Sequence, residues 1–119
     1  MLCTTLIASF PVAAFAETWY SSDITLPRTG SWTTVTREAT ANTQKTKVTN
    51  NKYDVNARIL NSGGKALSDY KKHQNEGNDD YGIEIEHKTG TAKGDKIKAE
   101  FKTTAVNYRT TTATLSWRP

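Results

Sequence analysis

The segment Tyr81–Phe101 holds the densest group of side chains able to do chemistry, with carboxylates and lysines alternating around a few isoleucines. Glu84 and Glu86 would project from one face of a strand, where paired carboxylates can act as acid and base or hold a cation. Ile83 and Ile85 would then occupy the opposite, buried face. This alternation is also typical of a structural strand with one solvated side, and we favour that interpretation.

The same segment predicts an antiparallel hairpin with the loop Thr89–Lys93. In this register a buried face opposes a buried face, and a shift by one residue would oppose isoleucines to charges. Cross-strand pairs of opposite charge would contribute roughly 0.2–1 kcal/mol each. The predicted pairs are Ile85 with Ile97, Ile83 with Ala99, Glu86 with Lys96, and Glu84 with Lys98.

The two histidines do not form a metal-binding pattern. His73 is expected in a polar loop and His87 at the margin of the inner face, whereas zinc needs three or four convergent ligands. The sequence has no nucleophile elbow, phosphate loop or dinucleotide fingerprint. We therefore predict no catalytic residue, no metal site and no cofactor.

A calcium-binding loop is a less favoured alternative. Its oxygen ligands would be Glu76, Asn78, Asp79 and Asp80. Their spacing does not match an EF-hand loop, and acidic turns are common as solvated chain reversals. We interpret the stretch Lys71–Asp80 as a polar loop.

The first sixteen residues, MLCTTLIASFPVAAFA, predict an export signal that is cleaved before Glu17. They carry no charge, end in Ala-Phe-Ala, and are too short for a membrane span of about 20 apolar residues. The basic residue that usually follows Met1 is missing. Cleavage would remove Cys3, the only cysteine, and would leave a secreted chain without disulfides or a transmembrane segment.

Short strand signals and abundant threonine predict an all-β fold, and residues 17–119 show no helical periodicity. We expect one domain, a single antiparallel β-sandwich of about seven or eight short strands. Besides the hairpin, the predicted strands are 23–26, 31–40, 44–49, 53–60, 65–70 and 107–118.

The charge balance predicts an anionic partner. The net charge is +4 and the isoelectric point is about 9.2, with lysines dispersed through the chain. Weak attraction to an anionic cell-envelope polymer or glycan fits this pattern better than specific nucleic-acid binding, which would need a basic-aromatic motif. Loops carry function more often than strands. The candidate ligand-binding residues are Trp32, Lys71, Lys72, His73, Asp79 and Asp80.

Three strings in the expected order, "FAETWYSSDITLPRTGSW", "YDVNARILNSGG" and "TATLSWRP", carry a family resemblance. The chain resembles small secreted proteins of Gram-positive bacteria that are rich in threonine and asparagine and poor in cysteine. Most of those proteins lack an assigned activity, and some are described as bacteriocin-like. The resemblance implies an extracellular protein and transfers no functional residues.

Two hypotheses about function follow from these observations. The first is a secreted, non-enzymatic β-sandwich that binds a cell-surface or extracellular component. The alternative is a bacteriocin-like or toxin-like effector that acts on the envelope of a target cell. A small hydrolase is disfavoured because the paired carboxylates have a structural interpretation.

Overall fold

The computed structural model describes residues 17–104 and 110–119, and these residues form nine strands and no helix. The predicted export signal lies outside the described residues. The strands are β1 (Tyr20–Leu26), β2 (Trp32–Thr33), β3 (Arg37–Glu38), β4 (Thr43–Thr49), β5 (Val55–Asn61), β6 (Lys71–His73), β7 (Ile85–Lys88), β8 (Lys96–Thr103) and β9 (Thr111–Arg118).

The strands pair into two antiparallel sheets that pack against each other, which confirms the predicted fold class. Sheet A has the strand order β1-β9-β4-β7, and sheet B has the order β2-β8-β5-β6. Strand β3 also pairs with β8, on the same side as β2. One side margin of the sandwich is therefore formed by β1 and β2/β3, and the other by β7 and β6.

The core lies between the sheets and follows from the two-residue period of the strands. In β8 the side chains of Ile97, Ala99 and Phe101 are fully buried, whereas the residues between them face solvent. Strand β5 buries Val55 and Ile59 in the same way. Burial of each large apolar side chain contributes about 1.5–3 kcal/mol, which provides the main drive for stacking the two sheets.

Four predicted strands are confirmed with shifted ends. Predicted strand 23–26 lies in β1, which begins at Tyr20 and stops before Pro27. Predicted strands 44–49 and 53–60 correspond to β4 and β5. Predicted strand 107–118 corresponds to β9, which begins at Thr111; residues 105–109 lie outside the described residues.

Two predicted strands are wrong in extent or position. The predicted strand 31–40 is broken into β2 and β3, with residues 34–36 between them. Residues 65–70 contribute only an isolated bridge between Leu60 and Ala66. Lys71, Lys72 and His73, predicted in a loop, form β6 instead. Here the pairing with β5 overrides a polar local sequence.

The predicted hairpin is wrong, because its two strands belong to different sheets. Strand β7 pairs with β4 in sheet A, while β8 pairs with β5, β2 and β3 in sheet B. Glu86 therefore lies opposite Lys45 instead of Lys96. Lys96 lies opposite Glu38, and Lys98 lies opposite Leu60.

The loop between β7 and β8 crosses from one sheet to the other because a buried glutamine holds it. The side-chain amide of Gln44 donates to Thr91 Oγ1 at 2.8 Å and accepts from Thr89 Oγ1 at 2.6 Å. Thr91 Oγ1 also donates to the carbonyl oxygen of Ala41 at 2.8 Å. These contacts join segments more than 40 residues apart in sequence, so local alternation does not reveal them.

Candidate functional site

The outer face of sheet B carries Lys96, which pairs with Glu38, and four further cationic side chains, Arg58, Lys72, Lys98 and Lys102, which we call the basic face. Asn56 lies between Lys72 on β6 and Lys102 on β8, so these two lysines share one row about 10 Å apart. Lys98 and Lys102 point to the same side of β8, about 13 Å apart along the strand.

Glu100 lies in the centre of the basic face and is fully engaged by its neighbours. Its Oε1 accepts from Arg58 Nε at 2.6 Å and from the hydroxyl of Tyr70 at 2.7 Å. Its Oε2 accepts from Ser31 Oγ at 2.9 Å. Burial alone would raise the pKa of Glu100, but these hydrogen bonds and the charge of Arg58 hold that pKa below its ordinary value.

Tyr70 links the cations of this face. The Arg58 guanidinium lies 4.2 Å from the ring centroid and Lys102 Nζ lies 4.7 Å from it, both within cation–π range. Burial, together with the hydrogen bond to Glu100, raises the pKa of Tyr70 to about 12. The phenol therefore stays protonated at neutral pH and keeps donating to the carboxylate.

The basic face keeps a surplus of positive charge. Arg58 neutralises Glu100 in an ion pair, and Lys72 has only a long contact of 3.9 Å with Asp54. Within the described part of the chain, Lys98 and Lys102 make no ion pair. Neither lysine has a carboxylate partner among the described residues, and Lys102 contacts only the Tyr70 ring, so both can meet an anion.

The outer face of sheet A mixes hydroxyl groups with charges of both signs, and its cations Lys45 and Arg118 both contact Glu17. Ser21 and Ser116 hydrogen-bond across β1 and β9 at 2.7 Å, and Thr114 donates to Asp23 at 2.8 Å. Lys47 is opposite Ser116 on this face. The two broad faces of the sandwich therefore differ in charge, and sheet B carries the basic one.

The structure separates the residues that the sequence grouped as a ligand site. Trp32 is in β2, at the opposite edge of sheet B from β6 and about 14 Å away across three strand spacings. Its ring is half-buried and packs at 6.2 Å from Phe101. Of the predicted residues, only Lys72 belongs to the basic face. Lys71 points to the other side of β6, towards the gap between the sheets.

Asp79 and Asp80 are exposed in a turn beyond β6. Main-chain hydrogen bonds shape this segment, with Tyr81 N donating to the carbonyl oxygen of Asn78 at 3.1 Å. Across residues 17–104 and 110–119, no group of three or more His, Cys, Asp or Glu side chains converges as a metal site would require.

His73 is buried with His87 instead of lying in a solvated loop. Thr46 Oγ1 lies 2.8 Å from His73 Nε2 and 2.7 Å from His87 Nε2, and all three side chains are at most 2% exposed. Thr46 and His87 belong to sheet A, and His73 belongs to sheet B. One hydroxyl therefore links the two sheets through two imidazoles.

The shared hydroxyl fixes the protonation pattern of this buried trio. Thr46 has one proton, so it can donate to only one imidazole, and the other imidazole must donate to it. His87 Nδ1 is buried and has no hydrogen-bond partner among the described residues. A buried N–H without a partner is rare, so we assign the proton of His87 to Nε2, which donates to Thr46. Thr46 then donates to His73 Nε2.

Both imidazoles are neutral at physiological pH. Burial lowers the pKa of His73 from 6.5 to about 4, and the neighbouring His87 adds to this shift. Burial also lowers the pKa of His87 to about 4, with a further contribution from Lys71. The trio is thus a buried structural contact whose charge state depends on acid.

Comparisons of the chain with protein-family models, with curated proteins and with solved structures found no match. Among the described residues, no helix has the length and apolar composition needed to cross a membrane.

The sequence contained a signal for the basic face that the hairpin interpretation obscured. Lys96, Lys98 and Lys102 recur at even spacing in β8, and Arg58 alternates with buried residues in β5. These side chains lie on one face because β5 and β8 pair in sheet B. The sequence gives no such signal for the buried trio of Thr46, His73 and His87, because its members come from three separate strands.

Proposed function

We propose that the protein is a secreted, non-enzymatic binding protein that attaches to an anionic polymer of a cell envelope through the basic face. The observation that carries this proposal is the pair of unpaired lysines, Lys98 and Lys102, on a sheet face whose central carboxylate is already neutralised. The predicted export signal supports the extracellular location.

The arrangement suits a polymer better than a small ligand. The cations are spread over about 10–13 Å on a sheet face, so a chain with repeated negative groups can contact several of them at once. Each exposed contact contributes little, typically 0–1 kcal/mol, and is screened by salt. Useful affinity therefore requires several simultaneous contacts, which a polyanion provides.

The test is co-sedimentation with cell walls that carry wall teichoic acid and with walls stripped of anionic polymer, at about 50 mM and about 500 mM salt. The variant Lys98→Gln/Lys102→Gln should lose most of its retention on anionic walls. The control Lys47→Gln/Lys93→Gln removes the same charge from sites outside the basic face and should remain bound.

The outcomes separate the basic face from diffuse charge. Equal loss in the two double variants would show that net charge alone drives adhesion and would contradict the proposal. Retention on stripped walls at high salt would also contradict it. If the purified protein instead kills or permeabilises sensitive cells, the effector hypothesis is correct.

A further inference from the structure

Three of the four sheet edges, those formed by β6, β7 and β2/β3, carry features that block the addition of another strand. Strand β6 has only three residues, and Lys71 points into the gap between the sheets. Strand β7 has four residues and exposes Glu86 and Lys88. The edge formed by β2 and β3 is interrupted at residues 34–36.

Strand β1 is the exception. It runs for seven residues without proline or interruption, and among the described residues it pairs only with β9. Its inward side chains, which include Tyr20, Ser22 and Ile24, carry no charge. The free side of β1 therefore presents main-chain N–H and C=O groups over seven residues, and Asp23 on its outer row is the only charged side chain of this strand.

A lateral pocket of about 190 Å³ opens beside this edge. Its apolar wall comes from Tyr20, Trp32, Val35, Leu115 and Trp117, and the small side chain of Ser22 lies on the β1 side.

The break between β2 and β3 creates the opening. Thr34 turns its hydroxyl into the ladder, where Oγ1 accepts from Ala99 N at 3.0 Å. Val35 is displaced outwards and is 67% exposed.

Arg37 adds a donor without an acceptor at this pocket. Its guanidinium stacks 3.5 Å from the ring centroid of Tyr20, and its Nε is buried with no hydrogen-bond partner among the described residues. Leaving a buried donor unsatisfied is unfavourable. Arg37 lines the pocket, so the pocket combines an apolar wall with a positively charged guanidinium.

We infer that β1 binds an extended segment of a partner protein as an added antiparallel strand, with an apolar side chain opposite Ser22 filling the lateral pocket. Main-chain pairing gives the affinity in this mode of recognition, and the pocket selects the side chain. Asp23, exposed on the outer row of β1, favours a lysine or arginine opposite it.

A second copy of the chain fits this edge less well. Antiparallel self-pairing centred on Asp23 would place two carboxylates directly opposite each other, which is unfavourable. The adjacent registers would place Ser22 or Leu26 opposite Ser22. Ser22 is too small to fill the pocket, and Leu26 is fully buried in its own core. A separate peptide has no such conflict.

The probe is a labelled peptide with the β9 sequence TTATLSWR, because that strand already pairs with β1 and places a leucine opposite Ser22. Its affinity for the full-length protein is measured by fluorescence anisotropy. The same peptide with aspartate in place of leucine should bind about tenfold more weakly or worse, a loss of about 1.4 kcal/mol. A lysine in place of the threonine that faces Asp23 should bind more tightly.

Two protein variants complete the test. Ser22→Phe fills the pocket from within and should reduce peptide affinity by about tenfold or more, while the matched control Ser22→Ala should bind like the unmodified protein.

A readout on the unmodified protein does not depend on whether Ser22→Phe folds. Addition of the peptide should slow amide hydrogen exchange at alternate residues of β1, and at none in β6 or β7. No binding of the β9 peptide, equal binding of its aspartate form, or sedimentation of the free protein as a β1-paired dimer would each overturn the proposal.

Discussion

At the scale of single residues, the buried pair His73 and His87 makes stability depend on pH. Both imidazoles are neutral in the folded protein down to about pH 4, whereas in the unfolded chain they take up protons below about pH 6.5. Above pH 6.5 both states are neutral and the pair has no pH effect. As the pH falls from 6.5 towards 4, protons bind the unfolded chain preferentially and stability is lost.

The expected result is a free energy of unfolding that decreases from about pH 6.5 to about pH 4.5, by about 2–3 kcal/mol for one histidine alone. Urea titrations at several pH values measure it. The titration stops at pH 4.5 because the lowered pKa of Glu100 changes the free energy of unfolding only below 4.5, the ordinary pKa of a glutamate. His87→Gln removes one titrating group and should show a clearly smaller slope. An equal slope in that variant would contradict this account.

At the scale of elements, the observed pairing of β7 with β4 can be tested by cross-linking. Residues 45 and 86 are directly opposed in the two strands. Opposed residues have Cα atoms about 4.5–5.5 Å apart, which suits a disulfide. With Cys3 replaced by serine, Lys45→Cys/Glu86→Cys should therefore oxidise to an intramolecular disulfide, detected by mass and thiol titration. Glu86→Cys/Lys96→Cys, the pair that the predicted hairpin would bring together, should keep free thiols.

The elements show which part of the fold the sequence could predict. Alternation in β4, β5, β8 and β9 indicated strands, because each has one buried face. Alternation does not specify which strand a given strand pairs with. The sequence therefore predicts that β7 pairs with β8, although the two strands lie in different sheets. The deciding contacts were Gln44 with Thr89 and Thr91, which a local pattern cannot reveal.

The candidate site was predicted less well than the fold. Lys72, one of the predicted ligand-binding residues, lies on the basic face. The predicted hairpin instead makes Lys98 the partner of Glu84, and Lys102 is not among the predicted ligand-binding residues. Burial of His73 was missed because its neighbours in sequence are lysines. A side chain's surroundings come from the strands across the sheet, and a wrong pairing therefore misplaces the site even where the strands themselves are correct.

At the scale of the whole molecule, stability rests on one core between two sheets, since the described residues contain no cysteine. Phe101 is fully buried in β8, the strand that pairs with β5, β2 and β3. Phe101→Ala should lower the free energy of unfolding by about 3–5 kcal/mol. A domain of this size is typically stable by only about 5–15 kcal/mol, so this variant should approach the unfolding threshold.

The same variant tests whether the two sheets unfold together. Phe101→Leu keeps most of the apolar volume and should lose much less, and Lys93→Ala, in an exposed loop, should change stability by less than about 0.5 kcal/mol. Urea unfolding is followed by far-ultraviolet circular dichroism and by tryptophan fluorescence, to which Trp32 contributes from sheet B and Trp117 from sheet A. Coincident midpoints are expected because both sheets share the core around Phe101. Separate transitions, or a Phe101→Ala variant as stable as Phe101→Leu, would show that the sheets are held by other contacts.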